Sequence, residues 1–163
     1  MIHPEAAAQT KASPYDSLKA LGIILPPAPA PIANFTTHVI EGNLLFLSGQ
    51  GPTESNGTLH TGKVGTNVSL DDAYTHARLT GINLISVMHA ALGDLGRVRR
   101  IVKLLGMVNA APDFADHPAV IDGCSDLMNQ VFGAKGVHAR SAVGFSSLPN
   151  QITVEIEAIV AFT

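Results

Sequence analysis

Residues 139–162 read ARSAVGFSSLPNQITVEIEAIVAF, and the alternation in this stretch decides the fold. Along an extended chain Ile152, Val154, Ile156, Ala158, Val160 and Phe162 fall on one face by period two, while Glu155 and Glu157 fall on the other. A strand with one wholly apolar face needs a second layer against that face. Ahead of it, Ala139 to Ser147 is another strand-like run, joined to the first through Leu148-Pro149-Asn150-Gln151, residue types that favour turns. Pairing the two as a hairpin about Pro149 and Asn150 sets Arg140 opposite Ile159. Arg140 and Glu155 then share a sheet face about 13 Å apart.

Working outward, Asp116-His117-Pro118 opens a helix whose face of Val120, Ile121, Cys124, Leu127, Met128, Val131 and Phe132 is the strongest helical pattern in the chain, stopped by Gly133. Arg100 to Asn109 reads as a buried strand. Ser69 followed by Asp72 caps an earlier helix carrying Ala73, Ala77, Leu84, Met88 and Leu92, which ends at Gly93. Phe35 to Glu41 and Leu44 to Ser48 flank the turn Glu41-Gly42-Asn43 as a hairpin. In the following Ser48-Gly49-Gln50-Gly51-Pro52, glycine lets the backbone turn sharply or approach a ligand closely. Ser13-Pro14-Tyr15-Asp16 caps a short helix to about Leu21, and the Pro26 to Pro31 run is extended polyproline. The expectation is an N-terminal extension over 1–32, with a short helix and a Pro-rich linker, followed by one domain over 33–163. That domain is α/β of the α+β type, a single sheet with two long helices on one face.

Composition narrows the function classes. The 163 residues are 46% hydrophobic and 14% charged, a balance that predicts apolar surface covered by a partner, hence an oligomer. The net charge of -3, the absence of Trp, and no basic run beyond Arg97, Arg99 and Arg100 argue against a nucleic-acid partner. No apolar stretch approaches the roughly 20 residues that span a bilayer, so no membrane association is expected. Residues 1–10 lack the charged start and apolar core of a leader, which makes the cytoplasm the expected location. Cys124 lies in the helical stripe and reads as a buried structural thiol. The histidines His3, His38, His60, His76, His89, His117 and His138 form no HxH, HxxxH or HExxH pattern, and neither a P-loop, a GxGxxG after a strand nor a GxSxG is present. No metal and no cofactor are expected.

Two groups carry candidate chemistry. Arg140 begins a strand whose alternate positions Ala142, Gly144 and Ser146 are small, which leaves room beside a guanidinium fork that matches a carboxylate; an edge-strand arginine in water is the alternative. Glu155 and Glu157 project from one face, either lining a polar pocket with a ligand or another subunit between them and Arg140, or standing solvated or paired with lysines.

Gly42-Asn43-Leu44-Leu45-Phe46-Leu47-Ser48-Gly49-Gln50, Ala139-Arg140-Ser141-Ala142-Val143, Leu148-Pro149 and Val154-Glu155-Ile156-Glu157-Ala158 together resemble the signature of the Rid (YjgF-type) family, some members of which carry the endoribonuclease L-PSP label. The resemblance spans about residues 33 to 163 and is nearest the longer subgroup. It implies a chorismate-mutase-like fold and a homotrimer with a barrel core and ligand pockets between subunits. It also implies hydrolytic deamination of small reactive enamines and imines, such as 2-aminoacrylate, to 2-oxo acids and ammonia. By position, Arg140 matches the arginine that grips the substrate carboxylate and Glu155 the glutamate that positions water, with Ser48 and Gly49 at the pocket wall. Three positions depart from the deaminase pattern: Phe35 stands for a tyrosine, Asp122 or its neighbour for an asparagine, and Ala142 for a cysteine. The resemblance leaves two other readings open, a non-catalytic trimer that binds a small carboxylate and, with less support, an endoribonuclease.

Overall fold

The last strand lies in the middle of the sheet. The computed structural model describes residues 12–31 and 33–163. Its elements are α1 (Pro14–Ala20), β1 (His38–Glu41), β2 (Leu44–Gln50), α2 (Leu70–Leu92), β3 (Val98–Asn109), α3 (His117–Phe132), β4 (Ala139–Phe145) and β5 (Val154–Phe162). The five strands form one sheet in the order β1-β2-β5-β3-β4, antiparallel except where β4 runs parallel to β3. The mixed α+β class, with one sheet and two long helices on one face, is as the sequence predicts. The leader reading of residues 1–10, His3 and Ile32 of the linker fall outside the described residues. Among the described residues no helix is long and apolar enough to cross a membrane.

One sequence expectation fails. β4 and β5 are not hairpin partners: Arg140 pairs with Leu104 of β3, not with Ile159. The cause is connectivity. β3 is followed by α3, which carries the chain back along the sheet, so β4 enters parallel to β3 as in any strand-helix-strand unit. The segment between β4 and β5 is then a crossing from the edge of the sheet to its middle. It turns at Pro149–Gln151 with Asn150 and Gln151 at φ 53° and 57°. Its backbone is held from outside, Gly62 N donating to Gln151 O at 2.9 Å and Thr153 N to His60 O at 3.2 Å.

The helices cover the apolar face of β5. Ser69 Oγ accepts from Asp72 N at 3.1 Å to start α2, and the Gly93 amide closes it on His89 O. In α1, Ser13 Oγ accepts from Asp16 N and Asp16 Oδ2 accepts from Ser13 N, a reciprocal cap. Leu18 brings α1 into the common core, where Val154, Ile156 and Val160 meet Leu84, Ile121 and Leu127. Small residues let the layers close: a Cβ on Gly106 would strike Ile121, and one on Gly123 would lie 2.9 Å from the carbonyl carbon and 3.1 Å from the amide nitrogen of Tyr74 and Arg78 respectively. Cys124 is fully buried in this contact, and burial pushes its thiol up to about 12, as a structural thiol requires.

Among the described residues, no helix lies over the opposite face of the sheet. Pairing places Val39, Phe46 and Ile159 in one row and Val143, Met107 and Glu155 in another, and Val39, Phe46 and Val143 are exposed. Because backbone stands where a side chain at position 123 would go, Gly123→Ala should lower unfolding stability by about 1–3 kcal/mol, measured by urea denaturation. An unchanged midpoint would contradict the close approach of α2 and α3.

Candidate functional site

The sequence-predicted site residues fall into two groups on opposite faces of the sheet. Arg140 shares a row with Leu104 and Ala158, both buried under the helices, whereas Glu155 shares a row with Met107 and Val143 on the uncovered face. The expected common face for Arg140 and Glu155 is therefore wrong within one chain. A strand's side chains alternate, so moving β4 from β5 to β3 changed which face Arg140 takes.

At the β4 edge, Arg140 meets α3. Its Nη1 donates to Asp122 Oδ1 at 2.7 Å and to Ser125 Oγ at 3.0 Å. Asp122 and Ser125 are three residues apart and so present to the same side of the helix. The side chains are 22% exposed for Arg140 and 48% for Asp122, so the pair is open to solvent. His138 extends the chain of contacts: its Nδ1 is 2.6 Å from Gly136 O, which accepts only, and its Nε2 is 3.0 Å from Ser125 Oγ. Nδ1 therefore donates to that carbonyl, and Nε2 faces the Ser125 hydroxyl. Ser125 and His138 were not singled out by the sequence. The three-residue step from Asp122 to Ser125 was the available signal. The small residues beside Arg140 leave room for α3 more than for a ligand, since Ala142 packs on the core and the His117 ring covers Gly144.

The second group gathers where β2 bulges against β5. Leu47 pairs with Ala158 and Gln50 with Ile156, so Ser48 and Gly49 together stand opposite Glu157. A Cβ on Gly49 would strike Glu155 Oε1 and lie 2.9 Å from its Cδ, so the Glu155 carboxylate rests directly on the Gly49 backbone. Any other residue here would displace it. Ser48 Oγ donates to Thr36 O at 2.7 Å, and Ser48 N to Thr37 O, which fixes the chain beside exposed Phe35. The strand begins only at His38, leaving Phe35 in the approach to β1. Glu155 is half-buried with no cationic partner among the described residues; burial first and the Glu157 charge second raise its carboxyl above the ordinary glutamate range. Other concavities among the described residues lie against α1, around Lys63 and His117, and beside His60 and His76. Among the described residues, no three His, Cys, Asp or Glu side chains are grouped as metal ligands would be.

A helix-backed sheet of this order, with one face left uncovered, defines a chorismate-mutase-like domain. Residues 16–155 match the family described as "YjgF/chorismate_mutase-like, putative endoribonuclease", and the chain belongs to that family. It is 43% identical over 145 residues to Protein TCP17 of Trypanosoma cruzi, covering 88% of this chain and 91% of that one. It is 30% identical over 146 residues to a 2-iminobutanoate/2-iminopropanoate deaminase of Dermatophagoides farinae, covering 85% and 93%. Among solved structures, the protein Atu1372 of unknown function from Agrobacterium tumefaciens matches at 44% identity with a TM-score of 0.85, covering 90% of this chain and 91% of that one.

The raised Glu155 carboxyl has a measurable consequence. A folded-state pKa above the unfolded value means that the folded protein holds the proton more tightly. Stability is therefore lost as pH rises from the ordinary glutamate range through the raised value. Glu155→Gln should melt at a higher temperature than the parent at pH 7.5, and the difference should shrink as the pH falls toward 4.5. A variant that melts lower at pH 7.5 would mean that the carboxylate is compensated.

Proposed function

We propose that this protein hydrolyses small reactive enamines and imines of the 2-aminoacrylate kind to 2-oxo acids and ammonia, at pockets completed between the subunits of a homotrimer. The observation that carries this reading is Glu155: a half-buried carboxylate with a raised pKa and no ion-pair partner among the described residues, seated on bare backbone at Gly49. A group held ready in that way suits a proton acceptor for water more than a structural ion pair. The relative from Dermatophagoides farinae is named for the same chemistry.

In this mechanism the enamine tautomerises to the imine and Arg140 holds the substrate carboxylate. Glu155 takes a proton from water as the oxygen bonds to the carbon of the protonated imine, whose C=N electron pair moves to nitrogen, giving a carbinolamine. Glu155 returns that proton to nitrogen, the C–N bond breaks and ammonia leaves, and the hydroxyl gives its proton back to Glu155 as the carbonyl forms. Arg140 and Glu155 project from opposite faces of one chain's sheet, so in this mechanism they come from two chains. Exposed Val39, Phe46 and Val143 on the uncovered face supply the apolar surface for that association.

A second reading, a trimer that binds a carboxylate without turnover, is favoured by Asp122, which already occupies Nη1 of Arg140. The endoribonuclease wording of the family description gains little here, because a net charge of -3 gives a phosphate backbone scant attraction.

Light scattering should report about three times the 17.0 kDa chain mass, and a stable monomer at micromolar concentration would dismantle the shared pocket. With 2-aminoacrylate generated in place, release of 2-oxo acid should be accelerated by the parent, and Glu155→Gln should reduce turnover by about 10² to 10⁴-fold with ligand affinity nearly preserved. Parental turnover in that variant would remove Glu155 from the mechanism; no turnover in the parent, with binding intact, would leave the binder. Arg140→Ala should weaken a small carboxylate ligand by roughly 10- to 150-fold in calorimetry, the worth of a charge-assisted contact. Unchanged affinity would take Arg140 out of the site.

A further inference from the structure

The ion pair at the β4 edge is half used. Arg140 directs Nη1 at Asp122 Oδ1 and Ser125 Oγ, and among the described residues neither its Nε and Nη2 nor Asp122 Oδ2 has a hydrogen-bond partner. None of these atoms is a buried polar atom lacking a partner, so they face accessible space. A guanidinium edge with donors to spare thus stands beside a carboxylate oxygen with lone pairs to spare. Ser125 and His138 are occupied with each other, with Nη1 and with Gly136 O, and so keep the guanidinium in place. Asp126, one turn along α3 from Asp122, is engaged by the Tyr74 hydroxyl at 2.8 Å.

We infer that Asp122 makes this a site for zwitterionic ligands, namely 2-amino and 2-iminium acids, and turns it against plain 2-oxo acids. This rests on the reading of Arg140 as the carboxylate anchor. A lone arginine attracts any monoanion, but with an aspartate 2.7 Å away the pair is neutral overall. A 2-oxo acid that docks on Nε and Nη2 then gains the hydrogen bonds while its charge is opposed by Asp122. A ligand with a carboxylate at one end and a protonated nitrogen close by matches both halves, with the carboxylate on Arg140 and the N–H donating to Asp122 Oδ2. For the proposed reaction this has two effects. It holds the imine nitrogen protonated, which makes its carbon the better target for water, and it loosens the hold on the product once nitrogen has left. The selection works by an unfavourable contact against the wrong ligand as much as by a favourable one for the right ligand.

The test compares L-alanine with pyruvate by calorimetry or chemical-shift titration at pH 7.5, in the parent and in Asp122→Asn, which keeps shape and hydrogen bonding. The parent should bind L-alanine tighter than pyruvate by roughly tenfold, about the worth of one charge-assisted contact at an open site. Asp122→Asn should abolish or invert that preference, mainly by strengthening pyruvate. The parent comparison stands alone should the variant fold poorly. A parent that binds pyruvate as tightly as L-alanine, or an Asp122→Asn protein with the parental ratio, overturns the selection. Arg140→Ala separates the failures: if it weakens both ligands while the ratio ignores Asp122, only the selection falls. If it weakens neither, or if the parent binds neither ligand at millimolar concentration, the anchor is elsewhere and the reading of the site falls with it.

Discussion

Everything in this fold depends on β5 being paired on both sides. A strand hydrogen-bonded to β2 and β3 has no free edge, and its alternation then has only one solution: Val154, Ile156, Ala158 and Val160 go under α2 and α3, and Glu155 and Glu157 go to the uncovered face. A one-residue slip would place two carboxylates against Leu84 and Ile121 and expose the apolar row. The cost of burying those charges fixes the register more firmly than any turn does. The bulge at Ser48 and Gly49 follows from the same register, because β2 must absorb one extra residue to stay in step with β5.

From that placement comes the division of the candidate site. Glu155 is carried by the central strand and Arg140 by the edge strand on the far side of β3, and the two side chains leave by opposite faces. Their environments differ accordingly. Glu155 rests on glycine backbone without a counter-ion among the described residues, while Arg140 is anchored to α3 through Asp122 and Ser125. The first arrangement raises the proton affinity of a carboxylate, and the second presents a polar edge whose orientation is set by a helix. Together they suit the proposed site, in which each of two chains contributes one half.

The sequence carried those features that depend on local periodicity. The alternation of 152–162, the helical stripe from Val120 to Phe132 and the Ser69 cap identify the elements and the buried face, and Cys124 is the structural thiol that its stripe position predicts. The partner of β4 was not legible. Leu148-Pro149-Asn150-Gln151 looks like a hairpin turn, and nothing within β4 itself distinguishes a parallel neighbour from an antiparallel one. That information lies in the helix between β3 and β4, read as connectivity and not as pattern. The error propagated to the site, since the face of Arg140 depends on its partner strand. Ser125 and His138 escaped notice because each is ordinary in sequence and acquires a role only where α3 crosses the start of β4.

The central claim, that Arg140 of one chain acts with Glu155 of another, is tested most directly by subunit mixing. Arg140→Ala and Glu155→Gln proteins, each impaired alone, would be dissociated together, reassembled in equal amounts and assayed for release of 2-oxo acid from 2-aminoacrylate. Random reassembly of a ring in which every site draws one residue from each of two neighbours should restore about a quarter of the parental rate. Activity no higher than that of the separate variants, with mixed assemblies demonstrated by mass spectrometry, would contradict a site shared between chains.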